Sequence, residues 1–117
     1  ILLGTHFLTS NSQNNYYDKA KQIRQLITKS YAKTFTKVDF MFLPTTATAA
    51  FKANVKQDDP VKMYLSDFFT TSANLAGIPA ISIPSGKNSL GLPIGMQLQA
   101  ARFEENKLLR FAKALMK

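Results

Sequence analysis

The chain has 117 residues, of which 45% are hydrophobic and none is cysteine. This length corresponds to one domain or to a piece of a larger one, and the hydrophobic fraction is that of a globular protein rather than a disordered one. The absence of cysteine excludes disulfides and thiolate chemistry, and no apolar run reaches the roughly 18 residues of a membrane span. The net charge of +8 favours acidic partners such as RNA, although scattered lysines also keep a surface soluble.

The chain opens on Ile1-Leu2-Leu3-Gly4-Thr5, which has neither an initiator methionine nor a basic leader. This segment is therefore predicted to be neither a signal peptide nor a transit peptide, and the chain is expected to be cut from the middle of a longer protein. His6 is the single histidine. No multi-histidine metal site is therefore predicted, and no metal ligand is assigned.

Between Tyr16 and Phe35, apolar side chains recur at steps of three and four residues, which predicts an amphipathic helix. Its basic residues lie largely off the apolar stripe, so we expect them to be solvated. This basic face could contact nucleic acid, but no arginine cluster marks a dedicated site. The predicted buried stripe consists of Tyr16, Ala20, Ile23, Leu26, Ile27, Tyr31 and Phe35, and the predicted solvated residues are Lys19, Lys21, Arg24, Lys29 and Lys33.

Three apolar segments that adjoin prolines predict short strands at residues 38–43, 79–84 and 93–99. The segment 85–92 between the last two is too short for a parallel crossover, so these two strands are expected to pair antiparallel. A last helix is predicted to begin at residues 103–105, because acids occupy its first turn. Its predicted buried face consists of Leu108, Ala112 and Leu115, supported by Leu109, Phe111 and Met116.

Two helices are predicted between residues 58 and 77. Asp59-Pro60 predicts the start of the first, because aspartate caps early amides and proline fits the first helical position. The second is predicted to begin at Ser66 or Asp67. The order Gly77-Ile78-Pro79 predicts that it ends in a left-handed cap.

Asp67, Thr71 and Asn74 form one polar stripe on this second helix, since they lie three or four residues apart. The stripe has two interpretations. In the first it faces solvent, and Asp67 is a first-turn acid that the helix dipole favours. In the second the helix start holds an ionised carboxylate in a cleft, where it binds the ammonium group of a ligand.

The central stretch resembles the C-terminal part of amidase-signature enzymes, and the resemblance extends over essentially the whole chain. The Pro-flanked strands are shared by the wider amidase family. Asp-Asp-Pro followed by Met-Tyr and Asp67 resembles, more narrowly, the glutaminase subunits of tRNA-dependent amidotransferases. The matching segments are Asp58-Asp59-Pro60, Met63-Tyr64, Asp67, Asn74-Leu75-Ala76-Gly77-Ile78-Pro79, Ile81-Ser82-Ile83-Pro84 and Gly91-Leu92-Pro93-Ile94-Gly95-Met96-Gln97.

The resemblance implies an α/β/α fold around a mixed sheet, of which residues 1–117 would be the C-terminal portion of a single domain. Here that portion would be an antiparallel strand pair and one further strand, flanked by helices. It implies amide hydrolysis by a serine nucleophile with a second serine and a lysine, while preorganised amides stabilise the oxyanion. These three residues belong to an N-terminal region that this chain lacks, so none is assigned and the chain alone is expected to be inactive. Asp67 would hold the ammonium of glutamine, with Thr71 and Asn74 as possible pocket neighbours.

The resemblance also implies a function for the parent protein. It would release ammonia from glutamine for the conversion of Glu-tRNA(Gln) to Gln-tRNA(Gln), in the cytoplasm of a bacterium or in an organelle. Partner subunits of the B and C type would use ATP and magnesium, tRNA would be contacted indirectly, and this chain would bind no cofactor and no membrane. The alternatives are a stand-alone hydrolase of other small amides and a basic RNA-binding module.

Overall fold

The computed structural model describes residues 16–51 and 60–116 of the chain. The predictions that concern Ile1–Thr5, His6 and Asp58-Asp59 lie outside these residues. The described part contains four helices and three strands in the order α1 (Tyr16–Phe35), β1 (Phe40–Pro44), α2 (Pro60–Ser66), α3 (Phe68–Ala76), β2 (Ala80–Lys87), β3 (Pro93–Ala100) and α4 (Glu105–Leu115). Within it, no helix combines the length and the apolar character that crossing a membrane requires.

The three strands form one antiparallel sheet in the order β1-β3-β2. Leu98 of β3 lies between Phe42 of β1 and Ile81 of β2, so the predicted antiparallel pairing of β2 with β3 is confirmed. β2 continues beyond the predicted end at Pro84, with a shift in register between Pro84 and Gly86. Proline is tolerated there because β2 is an edge strand of the described sheet.

One face of the sheet packs on α4 and forms the core. Side chains alternate along a strand, so Leu98 and Ala100 share this face, where they meet Leu108 and Ala112 of α4 in a buried cluster with Ile83. Phe40, Ile81 and Met96 pack against the cluster.

The predicted buried face of α4 is wrong for Leu115, which is 48% exposed, and for Leu109 and Met116, which are 55% and 53% exposed. Phe111 is also exposed, at 38%, although its ring stacks on that of Phe40. Leu109 and Met116 point about 80–100° away from Leu108 around the helix axis, at 3.6 residues per turn. Leu115 shares the face of Leu108 but lies at the last residue of α4, beyond the buried cluster.

Helix α3 lies on the opposite side of the sheet, across a cleft that both line, and α1 packs on α3. Ala73 and Ala76 are the buried residues of α3. The Tyr31 hydroxyl donates a 2.8 Å hydrogen bond to Ser72 Oγ, and Arg24 Nε donates to the Leu75 carbonyl oxygen at 3.1 Å. The described chain is thus layered as helix, sheet, helix and helix, in agreement with the predicted α/β architecture.

The predicted burial of α1 holds only in part. Tyr16, Ile23 and Leu26 are 58–65% exposed, and α1 has no fully buried residue. At about 1.5 Å per residue, nine-residue α3 covers less than half the length of twenty-residue α1. The predicted solvation of Arg24 is confirmed, since its side chain is exposed, and its Nε also donates to a carbonyl at the C-terminal end of α3.

Candidate functional site

Asp67 occupies the junction between α2 and α3. It is the N-cap of α3, with φ −98° and ψ 2°, and its amide donates to the Tyr64 carbonyl at 3.3 Å. The helix therefore begins at Phe68, within two residues of the prediction. The Asp67 side chain is exposed among the described residues and makes no capping hydrogen bond to the helix. The carboxylate thus remains available to a ligand.

The Asp67 carbonyl oxygen, in contrast, accepts several hydrogen bonds. The amides of Thr70 and Thr71 lie 3.2 and 3.0 Å from it, as expected for the first turn of a helix. The hydroxyls of the same two threonines also donate to it, at 3.1 Å from Thr70 Oγ1 and 2.8 Å from Thr71 Oγ1. The backbone of Asp67 is therefore bound tightly to the first turn while its side chain is not.

A polar cleft of about 330 Å³ lies between α3 and the sheet. Asn74 lines it from the helix, where Asn74 Nδ2 donates to the Thr70 carbonyl at 2.9 Å. Ser82 and Thr45 line it from the strands, with 2.7 Å between their hydroxyl oxygens. Among the residues that the structure describes, the lining contains polar side chains but no charged one, so this part of the cleft suits neutral hydrogen-bonding groups or water. Its described lining residues are Thr45, Thr70, Ala73, Asn74, Ile78, Ala80, Ile81, Ser82 and Gln97.

An aromatic groove of about 530 Å³ lies on the other side of α3, between this helix and α1. Thr71 lines it together with Tyr64 and Phe68. The structure therefore places Thr71 and Asn74, the two predicted pocket neighbours of Asp67, at different cavities. Neither cavity is lined by Asp67, which lies at the N-terminal end of the helix that separates them.

Sequence reasoning missed two buried polar residues of β3, of which Gln97 lines the cleft. Gln97 and Gln99 are 4% and 0% exposed, and Gln99 Nε2 donates to Gln97 Oε1. Gln99 Oε1 has no hydrogen-bond partner within the described residues. The signal was present in the alternation of β3, where two glutamines occupy the face opposite Met96 and Leu98.

No group of three or more His, Cys, Asp or Glu side chains that could hold a metal ion occurs in the part of the chain that the structure describes. The chemistry that these residues support is recognition of a cation by Asp67 and of neutral polar groups by the cleft.

Comparisons with known proteins identify the family. The family model described as Amidase matches residues 1–109. The A-type subunit of the glutamyl-tRNA(Gln) amidotransferase of Bdellovibrio bacteriovorus is 49% identical over 115 residues, which are 98% of this chain and 24% of that protein. The protein of the same name from Orientia tsutsugamushi is 45% identical over 117 residues, which are 100% of this chain and 24% of the relative.

Solved structures agree with these relatives. The crystal structure of the A-type subunit of the glutamyl-tRNA(Gln) amidotransferase from Thermotoga maritima superposes with a TM-score of 0.82 at 37% identity, covering 97% of this chain and 25% of that one. A 6-aminohexanoate cyclic dimer hydrolase gives a TM-score of 0.62 at 25% identity, covering 84% of this chain and 22% of the other. The chain spans about a quarter of the length of the curated relatives that it matches. The family predicted from the segments around Asp67 is confirmed, and the chain belongs to the amidase family.

Proposed function

We propose that this chain is the C-terminal portion of the glutaminase subunit of a tRNA-dependent amidotransferase. The observation that carries the proposal is the identity of 45–49% over nearly the whole chain with proteins that bear this name. Identity with the cyclic dimer hydrolase is only 25%. The full-length protein would hydrolyse glutamine, and the ammonia would serve to convert Glu-tRNA(Gln) to Gln-tRNA(Gln).

We infer that Asp67 holds the α-ammonium group of glutamine. Its carboxylate is exposed and makes no capping bond to the helix that it begins. A hydrogen bond between an ammonium and a carboxylate is about twice as strong as one between neutral groups. Thr71 and Asn74 are proposed as neighbours of the bound substrate on the two sides of α3.

The catalytic residues themselves are proposed to lie outside this chain. A serine nucleophile, a second serine and a lysine would come from the N-terminal part of the full-length protein, and this chain would complete the substrate pocket. The isolated 117 residues should therefore hydrolyse no amide, although they contribute to the affinity for glutamine.

The proposed setting follows from the names of the relatives, which are subunits of an amidotransferase. We infer partner subunits of the B and C type, which bind tRNA and use ATP and magnesium, while this chain binds no cofactor. The complex would work in the cytoplasm of a bacterium or in an organelle.

Substitution of Asp67 tests the proposal. In the full-length protein, assembled with its partners, Asp67→Asn should raise the KM for glutamine at least tenfold and leave kcat within about twofold, because it removes the charge but keeps the shape of the side chain. Asp18→Asn is the matched control, since Asp18 is also an exposed acid in the first turn of a helix. An Asp67→Asn enzyme with the KM of the parent would refute this role.

The second candidate is a stand-alone amidase that acts on other small amides, which the structural likeness to the cyclic dimer hydrolase supports. It requires no acid at position 67. If simple aliphatic amides are hydrolysed with a higher kcat/KM than glutamine, and Asp67→Asn changes neither value, this candidate replaces the first. Binding of tRNA by the full-length protein without its partners, with a steep salt dependence, would instead favour an RNA-binding module.

A further inference from the structure

The hydrogen bonds at Asp67 depart from the usual N-cap arrangement. An aspartate at this position ordinarily accepts the amide of the second or third helical residue with its side chain. Thr70 is the third residue of α3, and its amide donates to the Asp67 carbonyl instead. The carboxylate therefore accepts no hydrogen bond from the Thr70 amide, and its oxygens remain available to a cation.

Two side-chain hydroxyls complete this arrangement. Thr70 Oγ1 and Thr71 Oγ1 both donate to the carbonyl that already accepts their amides.

A threonine hydroxyl bound to the carbonyl four residues earlier is not unusual by itself. Thr28 donates to the Arg24 carbonyl at 3.0 Å and Thr34 to the Ser30 carbonyl at 3.1 Å, both inside α1. Asp67 differs because two hydroxyls converge on one carbonyl, and because that carbonyl belongs to the N-cap residue with the uncommitted carboxylate.

We propose that Thr70 and Thr71 are positioning residues for Asp67, an inference that rests on the proposed role of Asp67 in binding glutamine. The two hydroxyls fix the peptide that carries the carboxylate, so less conformational freedom is lost when the substrate ammonium binds. Neither threonine needs to touch the reacting amide. Their effect is on substrate affinity and passes through Asp67.

The test uses the full-length protein in its complex. Thr70→Val and Thr71→Val each remove one hydroxyl at nearly constant volume, and each should raise the KM for glutamine about two- to tenfold, the effect of one ordinary hydrogen bond. The double variant should raise it further, with kcat unchanged. Thr70→Ser and Thr71→Ser, which keep the hydroxyl, should restore the KM of the parent.

A substrate analogue separates positioning from general damage. Glutaramate, which is glutamine without its α-amino group, has no ammonium for Asp67 to bind. The valine substitutions should therefore raise its KM by a smaller factor than they raise the KM for glutamine, and an equal rise for both substrates would overturn the positioning role. In an Asp67→Asn background, the valine substitutions should add no further loss for glutamine.

The controls distinguish the two proposals. If Asp67→Asn raises the KM but the valine variants, singly and together, do not, the positioning role is overturned and the proposed function stands. If Asp67→Asn itself has no effect, the proposed function fails. Thr28→Val removes the same kind of bond from α1, and a rise in KM equal to that of Thr71→Val would assign the effect to helix stability and overturn the proposal. Should the double variant fail to fold, the single variants and the serine substitutions give the same decision.

Discussion

The phenol of Tyr31 donates a 2.8 Å hydrogen bond to Ser72 Oγ and so joins α1 to the helix that Asp67 begins. One turn further along α3, Arg24 Nε donates to the Leu75 carbonyl at 3.1 Å. The second contact occupies a carbonyl at the C-terminal end of α3, where a positive charge is favoured by the helix dipole. Helix α1 therefore packs on one side of α3, and the opposite side of α3 faces the sheet.

Tyr31→Phe should destabilise the full-length protein by about 1 kcal/mol, the net value of one partly buried hydrogen bond. The substitution removes the donor and leaves the half-buried Ser72 hydroxyl without this partner. Denaturant unfolding of the two proteins measures the difference. Tyr17→Phe is the control, because Tyr17 is an exposed tyrosine of the same helix. Equal midpoints for the Tyr31→Phe and Tyr17→Phe proteins would contradict the role of this bond.

The elements that carry Asp67 were predictable because their signals are local. Gly77 ends α3 at φ +67°, and the amide of Ile78 donates to the Ala73 carbonyl, which is the arrangement that Gly-Ile-Pro predicts. The strand pair followed from alternation and from the short segment between the strands. The family was recognisable because its motifs lie in these same elements.

The environment of the site was not predictable, because it depends on which elements meet. The apolar period of α1 indicates a buried stripe along its whole length, but α3 is too short to cover it. The alternation of β3 separates Gln97 and Gln99 from Leu98, yet no local signal indicates that both glutamines are buried. Position 67 was predicted as one candidate, whereas the hydroxyls of Thr70 and Thr71 on its carbonyl required the three-dimensional structure.

Gly95→Ala should destabilise the protein through contact with the polar cleft. A Cβ at this position would lie 2.9 Å from Ser82 Oγ and 3.1 Å from Thr45 Oγ1, so the hydroxyl pair must move. The expected cost is about 1–3 kcal/mol, as for other overpacked sites. The double variant Gly95→Ala/Ser82→Gly lacks Ser82 Oγ, the oxygen nearest to the added Cβ. Its midpoint of thermal unfolding should therefore lie above that of Gly95→Ala alone.

Gly77→Ala provides the contrast, because among the described residues no atom beyond its two chain neighbours lies within 4 Å of its added Cβ. Its cost of about 1–2 kcal/mol arises from the left-handed backbone, which alanine disfavours. Ser82→Gly should give no recovery at Gly77→Ala. Recovery at both positions, or at neither, would show that the contact with Ser82 is not the cause of the Gly95 effect.

Leu108 and Leu109 are adjacent in α4 but differ in burial, at 3% and 55% exposed. Leu108→Ala leaves a cavity in the cluster with Leu98 and Ala112 and should cost about 2–5 kcal/mol. Leu109→Ala should cost less than about 1 kcal/mol, in keeping with substitutions on a surface. Denaturant unfolding of the two variants measures the difference. A larger loss for Leu109→Ala would show that this side chain is buried in the full-length protein.

The ion pair between Lys107 Nζ and Asp39 Oδ1, at 2.5 Å, predicts a pH dependence at alkaline pH. The hydrogen bond to Asp39 raises the pKa of Lys107 above its ordinary value, the charges of Asp39 and Glu104 act in the same direction, and desolvation opposes them. The folded protein therefore holds this proton more tightly than the unfolded chain does. The stabilisation is fully present below the unfolded pKa of about 10.4 and is lost as pH rises through the higher folded pKa.

Lys107→Met should accordingly remove part of the decline in stability above about pH 10, the ordinary lysine range. The difference between parent and variant should be constant at lower pH and shrink as lysine loses its proton. The two side chains are 45% and 76% exposed, so the difference in unfolding free energy between parent and variant should be small. It should fall further in about 1 M salt, where the Debye length is only roughly 3 Å. Lys113→Met on the same helix is the control. If Lys113→Met gives the same difference curve as Lys107→Met, the effect comes from net charge and not from the pair with Asp39.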